Sequence, residues 1–201
     1  MTLVPGGPVD EVHQLAEVAV QVEYRGRVVH ITRERFTFAG QSVERDVVRH
    51  PGAVGVVALR QGQRGLEVLL VRQYRHPMGE YMWELPAGLR DVPGEDPAQC
   101  ARRELTEEAG YDCPGLTPFL DCATTPGGSD EVIRLFLAWE PTPLPARMAT
   151  DEAEEQDMVA QWFGLESAVE AVGSGRLRNM AAQVGVLAAA LQAREGRFPP
   201  M

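Results

Sequence analysis

The chain has 201 residues, 44% hydrophobic and 24% charged, enough for one sizeable core plus a small appendage. A formal net charge of −10 and a sequence pI of about 4.9 argue against broad nucleic-acid binding, whose affinity comes mostly from basic surface. No apolar stretch approaches the ~20 residues of a membrane span, and the first eleven residues lack the basic and apolar segments of a secretory signal.

A cytoplasmic protein is therefore expected, with neither nucleic acid nor membrane as a partner. Cys100, Cys113 and Cys122 fit that compartment, being odd in number, without CxxC spacing, and read as unpaired thiols.

In chain order, the Pro- and Gly-rich start (Val4-Pro5-Gly6-Gly7-Pro8) is expected to be loose. Val18–Val22, Val28–Thr32 and Arg35–Phe38 alternate as strands of a small antiparallel meander, with a turn at Tyr24-Arg25-Gly26. His50-Pro51-Gly52 marks a break. Ala53–Leu59 and Val68–Val71 are apolar runs joined by Gln61-Gly62-Gln63-Arg64-Gly65, which predicts a buried hairpin. Trp83–Ala87 reads as a strand entering a turn at Gly88.

A helix is predicted over Pro97–Ala109, with Asp96 as N-cap, Pro97 at the first position and Gly110 as the stop. Strands follow at Leu116–Cys122 and Val132–Trp139. Pro141-Thr142-Pro143-Leu144-Pro145 reads only as a loop. Beyond the acidic run Asp151–Asp157 come a strand (Val159–Phe163) and two helices (Glu166–Val172 and Asn179–Ala193). The expected class is an α/β (α+β) layered domain over residues 51–201, preceded by an N-terminal antiparallel strand segment, residues 1–50.

The chemistry concentrates on the helix. Glu104, Glu107 and Glu108 fall within an arc of roughly 100°, beside an apolar stripe of Ala98, Ala101, Leu105 and Ala109. Three carboxylates at the rim of a packed face repel one another unless a cation sits among them, and hard divalent ions prefer oxygen ligands. Arg103 is placed to restrain one carboxylate with a bidentate contact, and Glu95 to fold back toward the cluster. The plainer alternative is a solvated acidic face partnered by Arg102 and Arg103.

The stretch Gly88–Tyr111 resembles the Nudix box: Glu95, seven residues, then Arg103-Glu104-Leu105-Thr106-Glu107-Glu108-Ala109-Gly110. It departs from the pattern in two places. Six residues rather than five separate Gly88 from Glu95, and Tyr111 stands at the closing aliphatic position. Val71-Arg72-Gln73-Tyr74-Arg75, Trp83-Glu84-Leu85-Pro86-Ala87-Gly88 and Pro126-Gly127-Gly128-Ser129-Asp130-Glu131 further resemble ADP-ribose pyrophosphatases, which carry a proline about sixteen residues beyond the box; Pro126 lies sixteen after Gly110.

The resemblance implies a Nudix-type α/β/α sandwich with a mixed central sheet and hydrolysis of ADP-ribose to AMP and ribose 5-phosphate. It implies Mg²⁺, or Mn²⁺, held by Glu104, Glu108 and the Ala87 carbonyl, with Arg103 and Glu107 among the catalytic residues. Arg72, Arg75, Gly127 and Glu131 would bind substrate, although solvation alone accounts equally for the two arginines. The catalytic base would be Glu154 on a late acidic segment, with Glu155 as substitute because Gln156 stands where a second acid is usual; a disordered loop is the alternative. A homodimer through the N-terminal strands is also implied. The rival functions are Nudix hydrolysis of another nucleotide sugar such as GDP-mannose, or non-hydrolysing ADP-ribose sensing. His50 and His76 are expected to be structural, and Trp83 and Trp162 core residues rather than adenine stackers.

Overall fold

The computed structural model describes residues 7–145 and 157–198. The first six residues, part of the expected loose start, and the acidic positions 151–156 lie outside them. The chain forms two compact units, Met1–His50 and Pro51–Met201.

The first unit is a three-stranded antiparallel meander, β1 (Val18–Arg25), β2 (His30–Phe38) and β3 (Gln41–Arg49), in that order. Two details differ from the sequence reading. The first turn sits later, closed by Gly26 N–H donating to the Val29 carbonyl at 2.8 Å, and the runs taken as two strands are one continuous β2. β3 has little alternation of its own. It forms because Ala39 and Gly40, at φ 50° and 78°, make a tight turn that sets Phe36 against Val43 and Thr32 against Val47.

The second unit is a mixed sheet with strands in the order β12-β5-β4-β10-β9: β4 (Ala53–Gly62), β5 (Gly65–Arg75), β9 (Thr117–Ala123), β10 (Val132–Trp139) and β12 (Val159–Gly164). β4 and β10 run parallel, and the other pairs are antiparallel. Helix α1 (Pro97–Ala109) packs on one face through Cys100, Ala101 and Leu105 against Val54, Val56, Leu69 and Val71. Helices α2 (Leu165–Gly173) and α3 (Met180–Arg194) cover the other face through Leu165, Ala182 and Val186 against Val57, Leu59 and Val68. The result is an α/β/α sandwich of the expected class.

The expected strand Trp83–Ala87 is broken in two by Leu85-Pro86: β6 (Glu80–Glu84) and β7 (Ala87–Leu89). These insert where β4 and β5 diverge. β4 pairs with β5 near the hairpin end and with β7 at Ala53–Gly55, while β5 pairs with β6 over Val71–Arg75. The proline-rich loop also carries a short ladder, β11 (Thr142–Pro143), against β8 (Tyr111–Asp112). Proline is tolerated on such an edge, where its missing N–H need not meet a partner.

Leu105 has no exposed surface and anchors α1 to the sheet. Truncating it removes buried methylenes and leaves a cavity, so Leu105→Ala is expected to lower stability by about 2–5 kcal/mol in urea unfolding.

Candidate active site

Helix α1 starts cleanly because the Asp96 carboxylate accepts the Ala98 N–H at 2.9 Å, with Pro97 in the first turn, and it stops at Gly110. This registration puts Leu105 into the core and leaves Glu104 and Glu108, one turn apart, 7% and 4% exposed. Two carboxylates at that depth are costly unless compensated. Glu107, by contrast, is half-buried at the rim.

Compensation comes first from Arg103. Its Nε and Nη2 donate to the two oxygens of Glu95 at 3.1 Å each, while Nη1 donates to Glu104 at 2.7 Å and to Glu107 at 3.2 Å. The bidentate contact expected of Arg103 is thus made, to Glu95. Its guanidinium is held well above its ordinary pKa, chiefly by Glu95, and Arg103 in turn pulls the Glu95 carboxyl below its usual range. The extra residue in the Gly88–Glu95 loop does not carry Glu95 away. Behind it, burial and then Glu95 push the Cys100 thiol up to about 12.

Glu108 is fixed from the sheet side. Where β4 and β5 part, the Ala87 N–H is available and donates to Glu108 Oε2 at 2.7 Å. Next to it, Gly88 leaves room for Glu104. A Cβ at Gly88 would lie 2.1 Å from Glu104 Cδ and 2.2 Å from Oε1, so any larger residue here would push the Glu104 carboxylate aside.

Glu95, Glu104 and Glu107 share the one Arg103 guanidinium among the described residues. Among the described residues no group of three or more His, Cys, Asp or Glu side chains forms a ready-made metal cage. Magnesium does not need one, since it binds through one or two carboxylates, water and substrate phosphates. Glu104 and Glu108, hard oxygen donors buried side by side, fit that demand.

The other expected site residues are distributed around the same unit. Arg75 closes a bidentate pair with Glu84, Nε to Oε1 at 2.9 Å and Nη2 to Oε2 at 2.7 Å, and Glu84 is 3% exposed. Arg72 lies with its guanidinium 4.8 Å over the Tyr81 ring, and its buried Nε has no partner among the described residues. Neither arginine is simply solvated. Gly127 is exposed in the β9–β10 loop; Glu131, in the same loop, accepts from Thr124 Oγ1 at 2.5 Å. Glu154 and Glu155 lie outside the described residues. Just after them, Asp157 accepts the Tyr81 hydroxyl at 2.7 Å.

Trp83 is partly buried against the core beside α2 and α3, and Trp162 against the core beneath α1, under the Arg60 guanidinium. Glu84 and Gln73, both buried and polar, were not singled out from the sequence. The signal was present, since a polar side chain two residues beyond Val71 on a core strand must face the same buried layer. A cavity of about 740 Å³ between the β4–β5 hairpin and helices α2 and α3 contains none of the carboxylates of α1.

The NUDIX domain model matches residues 49–184. The chain is 37% identical to the ADP-ribose pyrophosphatase of Mycobacterium tuberculosis, over 88% of this chain and 83% of that protein. It is 34% identical to the ADP-ribose pyrophosphatase of Bacillus subtilis, over 78% of this chain and 82% of that one. The same identity holds for the methanol dehydrogenase activator of Bacillus methanolicus, over 81% of this chain and 85% of that protein.

The Gly88 contact yields a direct test. Gly88→Ala should displace the Glu104 carboxylate and weaken divalent-cation binding by about 10- to 100-fold, the range seen when groups supporting a ligand are disturbed. Isothermal titration with Mn²⁺ measures it.

Proposed function

The chain belongs to the Nudix family, and on that premise we propose that it hydrolyses the pyrophosphate bond of ADP-ribose, releasing AMP and ribose 5-phosphate. The observation that carries this reading is the intact carboxylate cluster of α1, with Glu104 and Glu108 buried together and Arg103 gathering their neighbours. The choice of ADP-ribose is supported by two relatives that bear the name ADP-ribose pyrophosphatase and align with most of this chain.

In this reading Glu104, Glu108 and the Ala87 carbonyl hold Mg²⁺, with Mn²⁺ as a substitute. The ion, when bound, neutralises phosphoryl charge and lowers the pKa of water. Arg103 acts through its neighbours, fixing Glu104 and Glu107 so that they do not turn away from the site. Arg75 receives the diphosphate, where a guanidinium fork matches phosphoryl oxygens, while Gly127 and Glu131 border the terminal ribose. Arg72, on the opposite face of β5 over the Tyr81 ring, does not share that contact. Water attacks one phosphorus, the anhydride P–O bond breaks, and the water proton passes to a carboxylate. We assign that carboxylate to Glu154, with Glu155 as the alternative.

Cytoplasmic location and a homodimer belong to the same proposal. On the first unit, Val18, Val20 and Val22 share a face of β1 and are 41%, 55% and 41% exposed in a single copy. An apolar row of this kind on a small sheet is suited to a second copy. Light scattering should give twice the 22.0 kDa chain mass, and Val20→Asp should give the monomer; a monomeric parent protein would exclude the dimer.

The reaction is tested with a nucleotide-sugar panel in Mg²⁺, with EDTA as control and products separated by chromatography. ADP-ribose should lead the panel with metal-dependent release of AMP. Glu108→Gln should reduce turnover by about 10²-fold or more, the scale of losing a principal charge-stabilising group, while thermal unfolding still reports a folded protein. GMP from GDP-mannose as the leading product would keep the chemistry and change the substrate. Binding of ADP-ribose without turnover would make the protein a sensor.

A further inference from the structure

Gln73 is 5% exposed, yet its side-chain Nε2 has no hydrogen-bond partner among the described residues. A buried amide donor left unsatisfied destabilises the fold, and an acceptor that becomes available in another state would offset that cost. The register of β5 and β6 shows where that acceptor lies. Gln73 stands opposite Met82, Val71 opposite Glu84, and Arg75 opposite Glu80. Val71 belongs to the core beneath α1, whereas Leu70 belongs to the core on the other face. By strand alternation Gln73, Arg75, Met82 and Glu84 therefore share the α1 face.

On that face, Arg75 reaches Glu84 across the Gln73–Met82 row. The ion pair spans the very residue whose amide is unpartnered. Gln73 and Glu84 are diagonal neighbours, a separation that long side chains bridge. Arg72, the other side chain with a buried unpartnered nitrogen, is on the opposite face against Tyr81 and is not part of this arrangement.

The Arg75–Glu84 pair also occupies the side-on edge of the guanidinium, Nε and Nη2, which is an edge that grips a phosphate in two hydrogen bonds. To present it to a diphosphate, Arg75 must leave Glu84, and a carboxylate that is 3% exposed tolerates the loss of its partner poorly. We propose that Gln73 is a positioning residue that permits this exchange: as Arg75 turns from Glu84 to the substrate diphosphate, the Gln73 amide takes over as hydrogen-bond donor to Glu84. The proposal rests on the reading above, in which Arg75 meets the diphosphate. In the ligand-free protein the Arg75–Glu84 pair is then a latch, and Gln73 lowers the cost of opening it.

The test is a double-mutant cycle read by calorimetric binding of ADP, a diphosphate probe that needs no turnover. Gln73→Leu should weaken ADP binding about tenfold, the scale of losing a hydrogen bond to a charged group. Its melting temperature should equal or exceed that of the parent, because an unsatisfied donor has been removed. In a Glu84→Gln background, where no charge is stranded, the same substitution should change ADP affinity less than twofold. Gln73→Met, of similar length and without a donor, repeats the measurement if the leucine variant does not fold.

No weakening by Gln73→Leu in the otherwise unaltered protein, or equal weakening there and in the Glu84→Gln background, overturns the exchange, as does a parent protein that does not bind ADP. Turnover of ADP-ribose by the parent, measured alongside, reports separately on the proposed reaction. A protein that binds ADP, shows the coupling and leaves ADP-ribose intact would keep the latch and lose that substrate.

Discussion

Arg103 carries a single positive charge and divides it among Glu95, Glu104 and Glu107, while Glu108, one turn beyond Glu104, is held by a backbone N–H. Two carboxylates buried to this degree on one helix repel each other and forgo hydration. Hard oxygen donors so placed suit a divalent cation. Removing Arg103 would loosen three side chains at once, whereas removing Glu107 at the rim would touch only one of its contacts.

The sheet supplies the other half of the site. β4 and β5 pair only near their hairpin, and β6 and β7 enter the gap that opens beyond it. That divergence makes the Ala87 N–H available to Glu108, brings Gly88 against Glu104, and places the Arg75–Glu84 pair on the same face as α1. A regular sheet would have spent those backbone groups on ladder bonds. The break at Leu85-Pro86 is thus what allows strand residues and helix carboxylates to share one site, and Leu85, fully buried on the far side, anchors it against α2 and α3.

Helix α1 was readable from sequence to both ends because its cap, first-turn proline and stop are local signals, and so was the carboxylate spacing that local periodicity dictates. β10 was equally plain as an apolar run interrupted only by Arg134. β3 was not, because its residues alternate poorly and are drawn into the sheet by the Ala39–Gly40 turn and by pairing with β2. The division of Trp83–Ala87 into two strands escaped for a related reason: it reflects which neighbour each half pairs with, and pairing is not local. Glu84 stood in the Trp83–Gly88 motif, yet its ion pair is made by Arg75 from the adjacent strand β5. The same holds for Gln73. Partners four residues apart on a helix can be counted along the chain, whereas partners across a splayed sheet have to be seen in the fold.

In the proposed reaction the acidic face of α1 is completed by a divalent cation between its two buried carboxylates. Crystals soaked in Mn²⁺ and measured near the manganese absorption edge test it most directly. An anomalous peak is expected within bonding distance, about 2.0–2.3 Å, of carboxylate oxygens from Glu104 and Glu108. A peak elsewhere, or ordered Glu104 and Glu108 side chains with no peak between them, would contradict it.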